Sequence, residues 1–196
     1  LLGRLAEIFE TQGRRGEAAE QLLEVGRLLA EQGNLERAHG ALERALKCVP
    51  EHLAAREAMA DVLTRQDLTL QAIGIYSDLN GFYAREGAGD DVIRVAQKIL
   101  AIQPDHLATL LMLARAYGQD GQIDKQLLTQ TRLVQLYMQG QSYTRASELC
   151  EEILGQHEDY TPALEQLVSI AEATRHATQS VKYLWKLSQV HARAGR

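Results

Sequence analysis

The sequence has little of several residues and patterns that mark particular classes of protein. Only two cysteines, Cys48 and Cys150, occur in 196 residues, which argues against a disulfide framework and fits a reducing compartment. The longest mostly apolar run, residues 107–114, has eight residues and is too short to span a bilayer. No signal peptide is recognisable. We therefore expect a cytoplasmic protein without direct membrane insertion.

The chain also has no large excess of positive or negative charge. The chain has 21 Lys and Arg against 26 Asp and Glu, a formal net charge of -5, and both signs are mixed along it. This pattern argues against a nucleic-acid partner and against a polybasic membrane patch. Because the chain begins at Leu1 without a methionine and ends inside a helical pattern, we expect it to be a segment of a longer protein.

Residues that could carry chemistry form no recognisable constellation. None of the six histidines forms an HxxxH pair or lies near a cysteine at ligand spacing. Cys150 occupies a packing position and is expected to be buried, whereas Cys48 is expected to be more exposed. We predict no catalytic residue, no cofactor and no metal site, and hence no enzyme. Four aromatic residues in helical register with core positions are expected to pack inside: Tyr76, Tyr83, Tyr117 and Trp185.

The chain does contain an internal repeat of 54 residues. Matching positions include the sets Ala6, Ala60 and Ala114, then Gly33 and Gly87, Pro50 and Pro104, and His52 and His106. Helical spacing of apolar residues predicts three helices per unit. The units are residues 1–52, 53–106 and 107–160, with a partial fourth over 161–196, and together they predict about eleven helices in a single domain.

One stretch of the repeat resembles the tetratricopeptide repeat (TPR) family. In residues 19–52, small or apolar residues stand where two antiparallel helices pack closely: Val25, Gly26, Leu29, Gly33, Ala38, Leu42, Ala45 and Pro50. The resemblance implies an all-α fold, a right-handed α-solenoid of helical hairpins.

The arrangement departs from the family, whose unit has about 34 residues and two helices. In this chain the middle helix of each unit fits the family pattern with both its neighbours, so two overlapping repeats share it. The middle helices, at Glu17–Gln32, Leu68–Glu86 and Ile123–Met138, are therefore predicted to be longer and more enclosed. These helices also carry a second row of apolar residues, which suggests that each middle helix is buried on two sides. The row consists of Leu28, Phe82, Leu136 and Val190. Alternatively, the three-helix unit arose because every second repeat lost its first helix and the neighbouring helices fused.

The family resemblance also implies where a partner would bind. In the family, partners lie along the inner, concave face, which is lined by variable positions of the first helix of each repeat. Carried onto this sequence, together with the middle helices, these positions are Glu20, Arg27, Glu31, Glu57, Asp61, Arg65, Arg85, Leu111, Arg115 and Gln119. The set mixes signs and lacks the basic and asparagine pattern by which some members clamp the terminal carboxylate of chaperone tails.

The function that follows is a non-catalytic scaffold or adaptor for protein–protein interaction. The expected partner is a peptide, a helix or a small globular domain such as a small GTPase. The alternative is a self-assembly or architectural arm of a larger multidomain enzyme or regulator, in which case a homo-oligomer is expected.

Overall fold

A computed structural model describes residues 2–193 and 195, except for the side chain of Leu2. The predicted ends of the first and last units, Leu1 and Arg196, lie outside the described residues. Within them the chain forms eleven α-helices and no strand, which confirms the all-α prediction. In chain order these are α1 (Leu2–Thr11), α2 (Arg15–Glu31), α3 (Leu35–Cys48), α4 (Leu53–Arg65), α5 (Thr69–Glu86), α6 (Gly89–Ile102), α7 (Leu107–Gln119), α8 (Ile123–Gln139), α9 (Tyr143–Gln156), α10 (Thr161–Ala173) and α11 (Ala177–Arg193).

The turns repeat as regularly as the helices. A left-handed residue recurs every 54 residues in the turn before each middle helix, and another in the turn after it; these residues are Gly13, Asp67, Gly121 and Arg175 in the first set and Gly33, Gly87, Gln141 and Gly195 in the second. Glycine adopts this conformation without steric cost, whereas Asp67, Gln141 and Arg175 do so with some strain. The third turn of each unit instead enters the next helix from an extended residue, as at His52 and His106. The backbone geometry therefore repeats where the residue types do not.

The helices form two compact units, Leu1–Pro104 and Asp105–Arg196, which we call unit 1 and unit 2. Unit 1 contains α1 to α6, and its core combines many alanines with larger side chains, among them the fully buried Leu22, Leu42, Tyr76 and Leu79. Unit 2 contains α7 to α11, and one of its clusters joins Leu127 and Val134 of α8 to Ile153 of α9. Each unit thus has apolar packing of its own, and the single domain stays a prediction.

The middle helices are longer than their neighbours, as predicted. Helices α2, α5 and α8 have 17, 18 and 17 residues, whereas α1, α4 and α7 have 10, 13 and 13. Within unit 1, α2 packs against α1 and α3, and α5 packs against α4 and α6; within unit 2, α8 packs against α7 and α9. Each middle helix therefore belongs to two hairpins and is not broken.

Two predictions about burial were wrong. Leu28 of the additional apolar row is 44% exposed, because the packed faces of α2 are those of Leu22, Leu23 and Gly26. Phe82, Leu136 and Val190 in the same row are half-buried. Trp185 was expected to pack inside but is 62% exposed on α11. Tyr76 and Tyr117 are buried and Tyr83 is half-buried, in line with the prediction.

Candidate partner-binding cleft

The crossing of α2 and α3 in unit 1 depends on the absence of a side chain at Gly26. A Cβ atom placed on Gly26 would lie 2.6 Å from Cγ of Leu42, closer than any real contact allows. Leu42 therefore lies directly on the backbone of α2. The surface where α2 and α3 cross is therefore apolar, and no large side chain projects from it at Gly26.

This surface forms the floor of an open cleft of about 400 Å³ in unit 1. The floor comes from small or apolar residues of α2, α3 and α4: Gly26, Ala30, Leu42, Ala54, Ala58 and Val62. Charged residues of α2, α4 and α6 form the rim: Arg27, Glu31, Glu57, Asp61, Arg65 and Arg94. An apolar floor with a few polar groups around it is the usual composition of a protein recognition site.

The acidic residues on the α4 side of the rim are held by basic residues of α6. Nζ of Lys98 lies 2.9 Å from Oε1 of Glu57 and 2.6 Å from Oδ1 of Asp61. Arg94 pairs with Glu57 and also with Asp91, the latter at 2.7 Å. The hydroxyl of buried Tyr76 donates to Asp61. These contacts fix the side chains of α4 before any partner binds.

Protonation in this network follows from burial and pairing. Burial raises the pKa of Glu57, but hydrogen bonds from Lys98 and Arg94 outweigh it and hold that pKa below its usual range. Burial lowers the pKa of Arg94, and its hydrogen bonds to Asp91 and Glu57 more than compensate, so the net direction is upward. For Tyr76, burial and the hydrogen bond to Asp61 both raise the pKa. All of these groups are therefore in their ordinary charge states at neutral pH.

The charges on the other parts of the rim are held more loosely. Arg27 pairs with Glu24 one turn earlier, at 3.1 Å, and both side chains are about half exposed. Arg65 reaches from α4 to α2 and donates to the carbonyl oxygen of Ala30 at 2.6 Å. Glu31 is exposed at the end of α2. These side chains can exchange their present contacts for contacts with a partner at small cost.

Five of the ten predicted residues thus line one cleft, namely Arg27, Glu31, Glu57, Asp61 and Arg65. The other five lie elsewhere. The Glu20 carboxylate is 3.1 Å from Nε2 of His52, and Arg85 lines a shallow cleft beside α5 with Asp78 and Phe82. On α7 of unit 2, Arg115 and Gln119 are exposed and Leu111 is half-buried.

Sequence reasoning missed Arg94 and Lys98. A signal for them exists, because Glu57 and Asp61 on α4 and Arg94 and Lys98 on α6 are both pairs with a spacing of four residues and opposite sign. Such pairs lie on one face of each helix and can meet across adjacent helices. Recognising them requires knowing that these two faces are neighbours.

Thiol chemistry and metal binding find no support among the described residues. No group of three or more His, Cys, Asp and Glu in that part of the chain is arranged to hold a metal ion. Burial, with a contribution from Glu151, raises the pKa of Cys150 to about 12. Burial and the Glu10 carboxylate raise the pKa of Cys48 as well. Both thiols are protonated at neutral pH and are poor nucleophiles.

A bilayer-spanning helix is likewise not found: no helix in the described part of the chain combines the length and apolarity needed to cross a membrane.

Comparison with known proteins finds similar helical structures at low sequence identity. No protein-family model matches the chain, and no curated protein matches it. Among solved structures, BtubC from P. vanneervenii is 16% identical over 99% of this chain and 87% of that chain, with a TM-score of 0.46. YrrB, described as a TPR protein with an unusual peptide-binding site, is 11% identical over 98% and 94%, with a TM-score of 0.35. TTC0263, a thermophilic TPR protein in Thermus thermophilus, is 19% identical over 86% and 98%, with a TM-score of 0.33.

The geometry of the chain itself supports the family resemblance. Gly26 and Ala38 are buried in the α2–α3 hairpin, with Leu42 against Gly26. Gly33 is left-handed in the turn between the two helices, and Pro50 follows the end of α3. These five signature residues lie where close packing or a turn is needed, as the resemblance to the TPR pattern implies. The chain is therefore an all-α helical repeat with three helices in each of its three complete 54-residue units, and its α2–α3 hairpin resembles those of the TPR family.

Proposed function

We propose that this chain is a non-catalytic scaffold that binds a segment of another protein in the cleft of unit 1. The observation that carries the proposal is the convergence of predicted surface residues from α2 and α4 on one cleft with an apolar floor. The cleft holds a few side chains, so the segment is a helix or an extended peptide that inserts one or two apolar anchors.

The floor favours an inserted side chain for a simple reason. Ala54 and Ala58 of α4 and Ala30 of α2 leave space above the backbone, whereas the space above Gly26 is filled by Leu42. An apolar side chain placed there removes its own surface and that of the floor from water. Such burial contributes roughly 1.5–3 kcal/mol for one large aliphatic side chain.

The rim contributes orientation more than affinity. Glu57 and Asp61 already have partners on α6, so they hold α4 in place and contribute little to a new ion pair. Arg27, Glu31 and Arg65 are exposed and present both signs to a partner. Two positive groups and one negative group around an apolar floor select a segment that carries charges of both signs beside its anchor.

The test is capture with a filled-cleft variant. Ala54→Arg places a long side chain from the half-buried Ala54 into the cleft, and Leu70→Arg introduces the same side chain at an 83% exposed position of α5 outside it. We expect proteins crosslinked to the wild type and to Leu70→Arg to be lost from Ala54→Arg. Equal capture by all three proteins, or no captured protein together with turnover of any substrate, refutes the proposal.

Light scattering separates this function from the alternative. A monomer at all concentrations fits a scaffold that recruits a different protein, whereas a discrete homo-oligomer without an added partner supports a self-assembly or architectural arm.

A further inference from the structure

Helix α11 of unit 2 carries an apolar stripe that the rest of the described chain leaves exposed. Val181, Leu184 and Trp185 are 66%, 46% and 62% exposed. Their spacing of three and four residues places them on one face of the helix. The helix packs on α10, and its buried or half-buried residues include Ser180, Tyr183 and Leu187, which lie on the side of the helix next to the stripe.

The repeat shows what normally covers this face. Subtracting multiples of 54 from Leu184 gives Leu22, Tyr76 and Gln130, which are 1%, 2% and 6% exposed. The same operation on Val181 gives Ala19 and Leu127, which are buried, and Ile73, which is half-buried. For Trp185 the equivalents are Leu23, which is buried, and Ser77 and Thr131, which are half-buried. The stripe is thus buried or half-buried on three middle helices, and on α11 no described helix covers it.

The covering element is in each case a last helix of the repeat. In unit 1, Leu42 of α3 lies against Gly26 of α2. In unit 2, Leu127 and Val134 of α8 form one cluster with Cys150 of α9. The three covering helices have 14 residues each, with buried residues at a spacing of four and then three: Ala38, Leu42 and Ala45; Val92, Ala96 and Ile99; Ala146, Cys150 and Ile153.

The charge of α11 indicates a second property of the element that would cover the stripe. The helix has Lys182, Lys186 and Arg193 and no acidic residue. Arg193 lies 3.6 Å from Asp159, while no ion pair of Lys182 or Lys186 is found among the described residues. Both lysines line a pocket that also contains Glu151, Glu158 and Asp159. Because their ammonium groups lie along one side of the stripe and form no direct ion pair within the described part of the chain, they favour carboxylates on the element that covers it.

We infer that the stripe Val181, Leu184 and Trp185 is a docking site for an amphipathic helix of the α9 type. This helix carries small and aliphatic residues at the spacing of four and three on its buried face and carboxylates beside that face. It binds as α9 binds α8, and Trp185 becomes buried when it does. The site lies in unit 2 and is independent of the cleft in unit 1.

Trp185 is the only tryptophan of the chain, so its emission reports on this site alone. The probe is a synthetic peptide of residues 143–156, the α9 sequence, kept reduced; it has three glutamates and one arginine. Added to the full chain, it is expected to shift the tryptophan emission to the blue and to saturate at one peptide per chain. A peptide of residues 35–48, in which basic residues outnumber acidic ones, is expected to bind about threefold more weakly, as for the loss of exposed ion pairs.

Two variants identify the binding surface. Val181→Ser combined with Leu184→Ser removes most of the apolar stripe and is expected to weaken binding at least about tenfold. Leu128→Ser on α8, where the leucine is 71% exposed and off the stripe, is the matched control and should leave binding unchanged. Because all three side chains are exposed, circular dichroism is expected to show the same helix content in each protein.

Three results overturn the inference. One is no emission shift with the 143–156 peptide, and another is equal weakening by Leu128→Ser. The third is a blue shift that appears only with vesicles of phosphatidylserine and phosphatidylcholine, or only on raising the concentration of the chain alone; these would assign the stripe to a membrane surface or to a second copy of the chain.

Discussion

At the scale of single residues, the close packing of α2 against α3 depends on Gly26. A methyl group at this position would meet Cγ and Cδ2 of Leu42 at 2.6 and 2.8 Å, and Leu42 is fully buried and cannot move aside freely. We expect Gly26→Ala to lower the free energy of unfolding by about 1–3 kcal/mol in urea denaturation, despite the higher helix propensity of alanine.

Gly40 supplies the matched control for Gly26. It lies inside α3, and a Cβ atom added there meets nothing within 4 Å. Gly40→Ala is expected to raise stability by up to about 1 kcal/mol because only the propensity term changes. Equal effects of the two substitutions would show that α2 and α3 do not cross as closely as described.

The two cysteines are expected to differ in reactivity for a related reason, which is burial. Cys150 is fully buried with a pKa raised to about 12, whereas Cys48 is half-buried. Labelling with a thiol reagent near pH 8 should therefore modify Cys48 first and Cys150 only as the protein unfolds. Comparing Cys48→Ala with Cys150→Ala measures each rate separately. Rapid labelling of Cys150 in the folded protein would contradict its place between α8, α9 and α10.

At the scale of helices, α4 and α6 are joined by the network around Glu57. Its pKa is held below the usual range in the folded state, so the folded state binds fewer protons here than the unfolded chain. The stabilisation is therefore present above the unfolded pKa of about 4.3 and is lost as the pH falls through the lower folded value.

The variant Glu57→Gln tests this dependence. We expect it to lower the free energy of unfolding by about 1–2 kcal/mol at pH 7, because Lys98 and Arg94 lose a charged partner that is only 16% exposed. The difference from the wild type should shrink as the pH falls below about 4. Glu36→Gln, at an exposed position of α3, is the control. A difference independent of pH would show that the carboxylate charge is not responsible.

The helices could be predicted from the sequence because their signals are local and repeated. A turn glycine at Gly33 and a proline at Pro50 delimit α3, and Gly87 and Pro104 delimit α6 in the same way. Burial of a particular face could not be predicted in the same way. Trp185 is in the register of buried residues, yet it is exposed because register does not say whether another helix lies above it.

The candidate cleft could be predicted in part. Five of the ten positions predicted for the inner face, Arg27, Glu31, Glu57, Asp61 and Arg65, lie around one floor, and the other five lie elsewhere; their role in binding stays a prediction. Arg94 was missed because it belongs to a last helix, which that pattern does not assign to the inner face. That α4 and α6 are adjacent is a property of the tertiary fold, and no local sequence pattern predicts it.

At the scale of the whole chain, the division into two units predicts partial autonomy. Unit 1 has its own apolar core, formed by residues of all six of its helices. We expect residues 1–104 expressed alone to be helical by circular dichroism and to unfold cooperatively, as short stacks of helical repeats do. An aggregated or unfolded fragment would show instead that its helices need residues beyond Pro104.

The central claim is that a partner segment lies in the cleft between α2 and α4, and hydrogen exchange with a captured partner tests it most directly. We predict slower exchange in the complex for amides in the C-terminal half of α2 and along α4, with α1 unchanged, and loss of this protection in Ala54→Arg. A stable complex in which α2 and α4 exchange as in the free chain, while other helices become protected, would contradict the account.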